Sequence, residues 1–263
     1  MVFKVSACVI TFNEEHNIEK CLKSMADIVD EIIVYDSGST DNTIKIAEKF
    51  TNKIYVSKWP GYGIQRNKAI NKCSYDWVLF LDADEVLSQK LNQEITLLLS
   101  SNTMKNNNIY YFKWNTYFYG YFLRYGRFSK PQHKLFNKKQ FIYKERTCHE
   151  TLNFNNKKYN KIILNSPLLH YSWKNYEHLQ QKYTKYSLLL AEAKYTKKNK
   201  MDSFIWYYMI IAVFRFFFDF IREFFFNLSF LDGWFGFIIS FNLAVYGFNK
   251  YVNLYLLNIN NNI

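Results

Sequence analysis

Three acidic positions carry the first chemical signal. Asp82 and Asp84 form an Asp-Ala-Asp step directly after the apolar run Trp77–Leu81, and Asp36 closes the run that begins at Glu31. Side chains alternate along a strand, so extended backbone aims Asp82 and Asp84 to one side and Ala83 into the fold. Two carboxylates on one side suit a hard divalent cation. Mg²⁺ typically takes one or two protein carboxylates and completes its shell with water and phosphate oxygens. Asp36 can accept a hydrogen bond from an imide N–H, as on uracil. A plainer reading stays open at each position: an Asp-x-Asp step often caps a turn, and Asp36 can simply start the turn Ser37–Asp41. Two absences narrow the chemistry. No G-x-G-x-x-G follows the first apolar run, and no G-x-x-x-x-G-K-[S/T] occurs anywhere, which argues against a dinucleotide fold and a P-loop. An acidic pair in place of a glycine-rich phosphate loop points to a metal-bound diphosphate.

Strands must hold these residues at one edge. Val5–Thr11 is a near-continuous apolar run, as for a strand buried on both faces. Ile18, Cys21, Leu22 and Met25 follow at helical spacing. Glu31–Asp36 reads as a second strand, with Ile44, Ala47 and Phe50 on a helix after it. Lys53–Ser57 reads as a third strand, and Ile64–Asn71 as a helix after the Pro60, Gly61, Gly63 loop. Asp76–Leu81 reads as a fourth strand, and Gln89–Leu99 as a helix. Such alternation predicts a mostly parallel sheet, and in open sheets of that kind ligands bind beyond the carboxyl ends of the strands. Thr11-Phe12-Asn13-Glu14, Asp36-Ser37 and Asp82-Ala83-Asp84 all fall at such ends. From about residue 108 the pattern changes to strand-like runs, 109–118, 132–136, 140–146 and 162–171, followed by a helix over 176–195.

The chain has 263 residues, half of them apolar, so it is long enough to bury a large core and is not intrinsically disordered over most of its length. Cys8, Cys21, Cys73 and Cys148 form no C-x-x-C pair, which argues against a zinc ribbon and against a disulfide framework. The N-terminus runs straight into a strand-like segment and reads as lacking a signal peptide. The net charge of +12 is concentrated: residues 101–200 hold 20 Lys/Arg against 4 Asp/Glu. A solvated basic face, an anionic membrane, a phosphorylated substrate and a nucleic acid are all compatible with that excess. These shifts divide the chain into a strand–helix region over 1–100, a basic region over 101–200 and an aromatic-rich region over 201–263.

VITFNEEHNIEKCL, EIIVYDSGSTDNTIKIAE, WPGYGIQRNKA and WVLFLDADE, in that order, resemble the donor domain of family-two glycosyltransferases of GT-A fold. The resemblance is closest to a subgroup acting on the lipopolysaccharide inner core, of the β-1,4-glucosyltransferase type. It continues through HKLFNK (133–138), CHE (148–150), LLHY (168–171) and FLDGWFGF (230–237). It implies an α/β GT-A domain in which Thr11, Asn13 and Glu14 line a nucleoside pocket, Asp36 reads uracil beside Ser37, and Gln65 and Arg66 face the nucleotide and diphosphate. Asp82 and Asp84 would be the family's DxD, with Asp84 the more direct ligand of Mg²⁺ or Mn²⁺. In the sugar transfer so implied, the metal and an arginine neutralise charge on the departing UDP.

An inverting transfer also needs a base for the acceptor hydroxyl. Residues 101–200 hold four carboxylates: Glu145, Glu150, Glu177 and Glu192. Glu177 and Glu192 fall on the predicted helix, and Glu150 follows a strand-like run. The resemblance implies Glu150 as base, with His149 as the alternative. A surface pair of Glu150 with Arg146 or Lys144 is the plainer reading. His133, His170 and His178 read as structural residues or acceptor contacts.

The segment Phe204–Phe248 contains 19 aromatics in 45 residues. Phe204–Phe214 stops at Arg215, and Gly233–Phe248 is only sixteen residues long, both short of the roughly 20 apolar residues of a span. Helices lying in the membrane plane fit better, with a buried helical pair as the plainer reading. The expectation is therefore an inverting, metal-dependent hexosyltransferase at the inner face of the cytoplasmic membrane. Its donor would be a UDP-sugar and its acceptor a lipid-linked or lipopolysaccharide-core sugar, with no nucleic-acid partner. Transfer to a polyprenyl phosphate carrier, and a membrane protein that binds nucleotide sugars without turnover, are the alternatives.

Overall fold

The computed structural model describes residues 3–144, 151–154, 158–196 and 206–260. The chain groups into two compact units, residues 1–115 with 131–172, and residues 116–130 with 173–263. They cut across the boundaries at 100 and 200 suggested by charge, because 131–172 returns to the first sheet.

In the first unit, β1 (Val5–Thr11) is buried at every position. It pairs in parallel with β2 (Glu31–Asp36) and β4 (Trp77–Asp82), and β2 pairs in parallel with β3 (Ile54–Val56). Continuous burial explains the unbroken apolar run: a strand covered on both faces has no solvent side to alternate with. Helix α1 (Ile18–Met25) buries Ile18, Cys21, Leu22 and Met25 on one stripe, as their spacing predicts. Helices α2 (Thr43–Ala47) and α3 (Tyr62–Ile70) follow β2 and β3. Helix α4 (Gln89–Ser100) is capped by Ser88, whose hydroxyl accepts the Leu91 N–H at 3.2 Å, one of the donors a helix start leaves unpaired.

Beyond the parallel strands the sheet becomes mixed, with antiparallel pairings among the strands it adds. Its order is β3-β2-β1-β4-β8-β6-β11-β5, with β5 (Glu85–Leu87), β6 (Asn108–Phe118), β8 (Pro131–Asn137) and β11 (Asn160–His170). A short ribbon of β9 (Ile142–Tyr143) and β10 (Leu152–Asn153) lies outside this sheet. The α/β GT-A architecture expected from sequence is the one observed. One local expectation changes. β4 ends at Asp82, and residues 83–84 turn into β5, a strand the sequence did not announce. The pleat therefore does not set the direction of Asp84. Cys8, Cys21 and Cys73 are buried free thiols.

In the second unit, the end of β6 pairs with β7 (Tyr121–Leu123). The helices are α5 (Tyr176–Thr196), α6 (Tyr207–Ile221) and α7 (Gly233–Asn260), with a π-helical turn at Arg222–Phe226 and a 3₁₀ turn at Ser229–Asp232 between the last two. A Cβ at Gly236 would lie 1.7 Å from the Ser229 carbonyl oxygen, so that close approach requires glycine. The sequence reading stopped the last apolar run at Phe248. α7 instead continues to residue 260, and 229–259 is long and apolar enough to cross a membrane by length and composition.

Candidate functional site

The carboxyl ends of β1, β2 and β4 come together because the three strands are neighbours in register. Thr11 stands opposite Asp36, and Ile10 opposite Asp82. After β1, Asn13 takes a left-handed conformation at φ 54°, one that asparagine tolerates better than most residues. Its N–H donates to Ser39 Oγ at 2.8 Å, and its Oδ1 accepts the Thr40 N–H at 2.9 Å. The Glu14 N–H donates to Thr43 Oγ1 at 2.8 Å, and Glu14 Oε2 accepts from Asn17 Nδ2 at 2.8 Å. Asn13 and Glu14 thus tie the β1 loop to the turn after β2.

Asp36 is fully buried. Its Oδ1 accepts the N–H groups of Gly38 and Ser39, each at 2.7 Å, and its Oδ2 accepts the Ser39 hydroxyl at 2.5 Å. The carboxylate builds the turn, the plainer of the two roles its sequence position allows. Gln65, on α3, donates from Nε2 to Ser37 Oγ at 3.1 Å. Gln65 Oε1 and Thr11 Oγ1 are buried with no hydrogen-bond partner among the described residues. Two unmet polar groups at the same strand ends are costly in a finished core and ordinary beside a polar ligand or water.

The next residue of α3 reaches β4. Arg66 Nη2 donates to both Asp82 oxygens, at 2.8 and 3.1 Å, and its guanidinium packs over the rings of Phe80 and Tyr143. Lys134, on β8, stands 3.6 Å from Asp82 Oδ2 and 2.5 Å from Glu85 Oε2. Glu85 is fully buried and collects three donors: Lys134 Nζ, the Asp82 N–H at 2.9 Å and the Trp114 indole N–H at 2.6 Å. The Trp114 ring stacks on His170 at 4.4 Å, and His170 Nε2 lies 3.4 Å from Asp84 Oδ2. His170 arrives there because the end of β11 runs antiparallel to β5, which sets it opposite Glu85. The Tyr171 N–H donates to the Asp84 carbonyl at 2.8 Å.

Burial alone would raise the Asp82 pKa. The neighbouring Arg66 and Lys134 charges outweigh that and hold it below the usual carboxylate range. Burial pushes the Glu85 carboxyl up, against the pull of Lys134. His133, on β8, is held down to about 3, first by burial and then by the Lys134 and Arg66 charges, so its imidazole is neutral at neutral pH.

The two aspartates of the Asp-Ala-Asp step consequently sit in different surroundings. Asp82 is matched by two cations, and Asp84 faces an imidazole. A carboxylate beside an imidazole nitrogen is a donor set that suits Mn²⁺ or a similar divalent ion. Among the described residues no three His, Cys, Asp or Glu side chains converge into a metal cluster. An ion at this pair would draw its remaining ligands from substrate oxygens and water. Thr11, Asn13, Glu14, Asp36, Ser37, Gln65, Arg66, Asp82 and Asp84 all fall at one edge of the sheet. Glu150 and His149 lie outside the described residues. Sequence reasoning assigns no role to Glu85, Trp114 or Lys134 and reads His170 as structural or an acceptor contact. HKLFNK and LLHY were the available signals, but their meeting depends on antiparallel register that periodicity does not carry.

The glycosyl transferase family 2 profile matches residues 6–163. An uncharacterized glycosyltransferase of Rickettsia typhi is 32% identical over 95% of this chain and 85% of its own length. The lipopolysaccharide core biosynthesis glycosyltransferase LpsC of Rhizobium meliloti is 33% identical over 37% of each chain. A solved structure of glucosyl-3-phosphoglycerate synthase from Mycobacterium tuberculosis, with Mg²⁺ and UDP, is 25% identical over 45% of this chain and 44% of that one, at a TM-score of 0.34. By the span of the family profile and the near full-length relative, this chain is a glycosyltransferase and belongs to glycosyl transferase family 2.

Proposed function

We propose that the protein transfers a hexose, with inversion, from a UDP-sugar to a lipid-linked or lipopolysaccharide-core acceptor at the inner face of the cytoplasmic membrane. The observation that carries this reading is the pairing of Asp84 with His170 beside an Arg66–Asp82 bridge at the strand ends. In this reading Thr11, Asn13 and Glu14 border the nucleoside, and Ser37 and Gln65 lie beside it. Asp36 holds the turn beside which uracil is read. Asp84 and His170 would hold the divalent ion, and Asp82 serves by fixing Arg66. A bound Mg²⁺ or Mn²⁺ supplies positive charge against the diphosphate leaving group. Arg66 adds a second positive group on the same side. Glu150 takes the acceptor proton, with His149 as the alternative base. The partial likeness to LpsC supports the core-sugar acceptor.

The test is a panel of UDP-sugars offered to purified protein with Mn²⁺, Mg²⁺ or chelator, using core oligosaccharide and polyprenyl phosphate as acceptors. UDP release and a glycosylated core product with one UDP-hexose support the reading. Product on polyprenyl phosphate alone moves the acceptor to the carrier lipid. Donor binding without turnover in any combination makes the chain a binding protein.

A further inference from the structure

Helix α6 is inside out. Ile210, Val213, Phe214, Phe217, Phe218 and Ile221 recur at the spacing of one helical stripe, the pattern that normally faces a core. Here the stripe is exposed, with Phe214 72% accessible. The buried face carries Asp219 beside Tyr208 and Ala212; Asp219 Oδ2 accepts from Arg215 Nε at 2.7 Å, and its Oδ1 is ion-paired with Arg222 Nη2 at 2.7 Å.

The same inversion continues through the turns to α7. Glu223 is 1% accessible and accepts the Arg127 N–H at 2.6 Å and the Asn227 amide at 2.7 Å. Asp232 is 5% accessible and accepts the Arg124 and Tyr125 N–H groups and the Tyr121 hydroxyl. The carboxylates are spent inward on the backbone of the 121–127 loop. The rings beside them point out: Phe226 is 79% and Trp234 80% accessible, and Phe225, Phe230 and Leu231 are exposed as well. An apolar exposed face of this extent marks a contact with something apolar. Every acid of the segment from 207 to 241 is turned inward, so nothing anionic is presented on that face.

We infer that the α6 stripe and the 225–234 turn embed in one leaflet of an anionic bilayer, as a monotopic insert with the helix axis near the membrane plane. The inference rests on the membrane location proposed above and adds the surface that makes the contact and the way it does so. Lipid is favoured over a second copy of the chain by charge. The unit formed by 116–130 and 173–263 holds 13 Lys/Arg against 6 Asp/Glu. A symmetric dimer would set that excess against itself, whereas anionic headgroups complement it. Exposed Trp234 fits the depth at which tryptophan prefers to sit. In-plane insertion leaves the Asp219, Glu223 and Asp232 hydrogen bonds intact on the protein side, which an apolar environment requires.

The experiment is co-sedimentation of the full chain with phosphatidylcholine vesicles containing phosphatidylglycerol, at 0.1 and 0.5 M NaCl, for wild type and the triple variant Phe214→Asp, Phe226→Asp, Trp234→Asp. All three positions are exposed, so the variant should keep the wild-type melting curve. The inference expects wild type to remain bound at 0.5 M salt and the variant to partition at least tenfold more weakly at both. Equal binding of the two proteins would overturn the surface while leaving the membrane location standing. Wild type that stays in the supernatant under both conditions would sink the location itself. Release of wild type by 0.5 M salt would reduce the contact to charge and overturn insertion. A second readout covers a variant that fails to fold: brominated-lipid quenching, taken as the difference between wild type and Trp234→Phe. Strong quenching by shallow bromines supports the insert. Quenching only by bromines near the chain ends means a span, and none, with a lipid-free dimer on gel filtration, means a copy–copy interface.

Discussion

Asp84 and Asp82 are two residues apart and sit in different surroundings, and substitutions should separate the roles proposed for them. Asp84→Asn removes the charge that the proposed metal needs while keeping the side chain's shape. It should lower metal-dependent turnover about a hundredfold or more, because leaving-group charge goes uncompensated, with an unchanged melting temperature. His170→Gln should instead raise the Mn²⁺ concentration needed for half-maximal activity, about tenfold, since one of the two proposed protein ligands is lost. Asp84→Asn with wild-type activity in Mg²⁺ would remove the metal from this pair. Glu150→Gln tests the base: donor binding by calorimetry should persist while transfer falls about a hundredfold. Full activity in that variant, with collapse in His149→Ala, would give the role to His149.

At the scale of elements, buried charge ties strands together. Lys134 on β8 meets Glu85 on β5 where both are buried. Lys134→Met leaves the Glu85 carboxylate without its cation and should cost about 3–5 kcal/mol in urea unfolding. Adding Glu85→Gln should recover part of that loss. Glu31 on β2 is a second tie. Its carboxylate accepts from Ser6 on β1, from Lys53 before β3, and from Ser74 before β4. Burial raises its pKa, but Lys53, Ser6 and Ser74 together lower it to about 2, against 4.5 for the free side chain. A depressed acid stabilises the fold above its unfolded pKa and loses that contribution as pH falls through the folded one. Glu31 should therefore contribute about 3 kcal/mol at pH 7. The stability gap between wild type and Glu31→Gln should shrink by about 2 kcal/mol between pH 7 and pH 3, and a constant gap would contradict the assignment.

These ties also explain what could be read from the sequence. Val5–Thr11, Glu31–Asp36 and the Ile18–Met25 stripe were legible because each is set by local periodicity and burial. Thr11, Asp36 and Asp82 could be placed at one edge because parallel strands share their carboxyl ends. β5 is only three residues long, and its place depends on pairing with β11, some eighty residues away. Trp114, Lys134 and His170 were illegible for that reason. Asp36 was legible in place and open in role, since the same carboxylate that could read a base also closes its own turn. α7 was cut short at Phe248 because Asn249 and Lys250 interrupt the apolar run without interrupting the helix.

For the whole molecule, the chain joins a sheet edge suited to a nucleotide diphosphate with helices that turn their rings outward. The basic excess within 101–200 adds charge attraction to any anionic surface, worth about 1 kcal/mol per lysine near it and fading within a Debye length. Raising salt should therefore slow association with anionic vesicles in stopped-flow fluorescence more than it speeds release, because the apolar contact is not screened. Equal effects on both rates would assign the contact to charge. The central claim, a metal held at Asp84 for transfer from a UDP-sugar, is tested most directly by UDP release from UDP-hexoses with Mn²⁺, measured side by side for wild type and Asp84→Asn. The account predicts chelator-sensitive release by wild type with one donor, and release at least about a hundredfold lower in the variant. Chelator-insensitive release, equal in the two proteins, would contradict it.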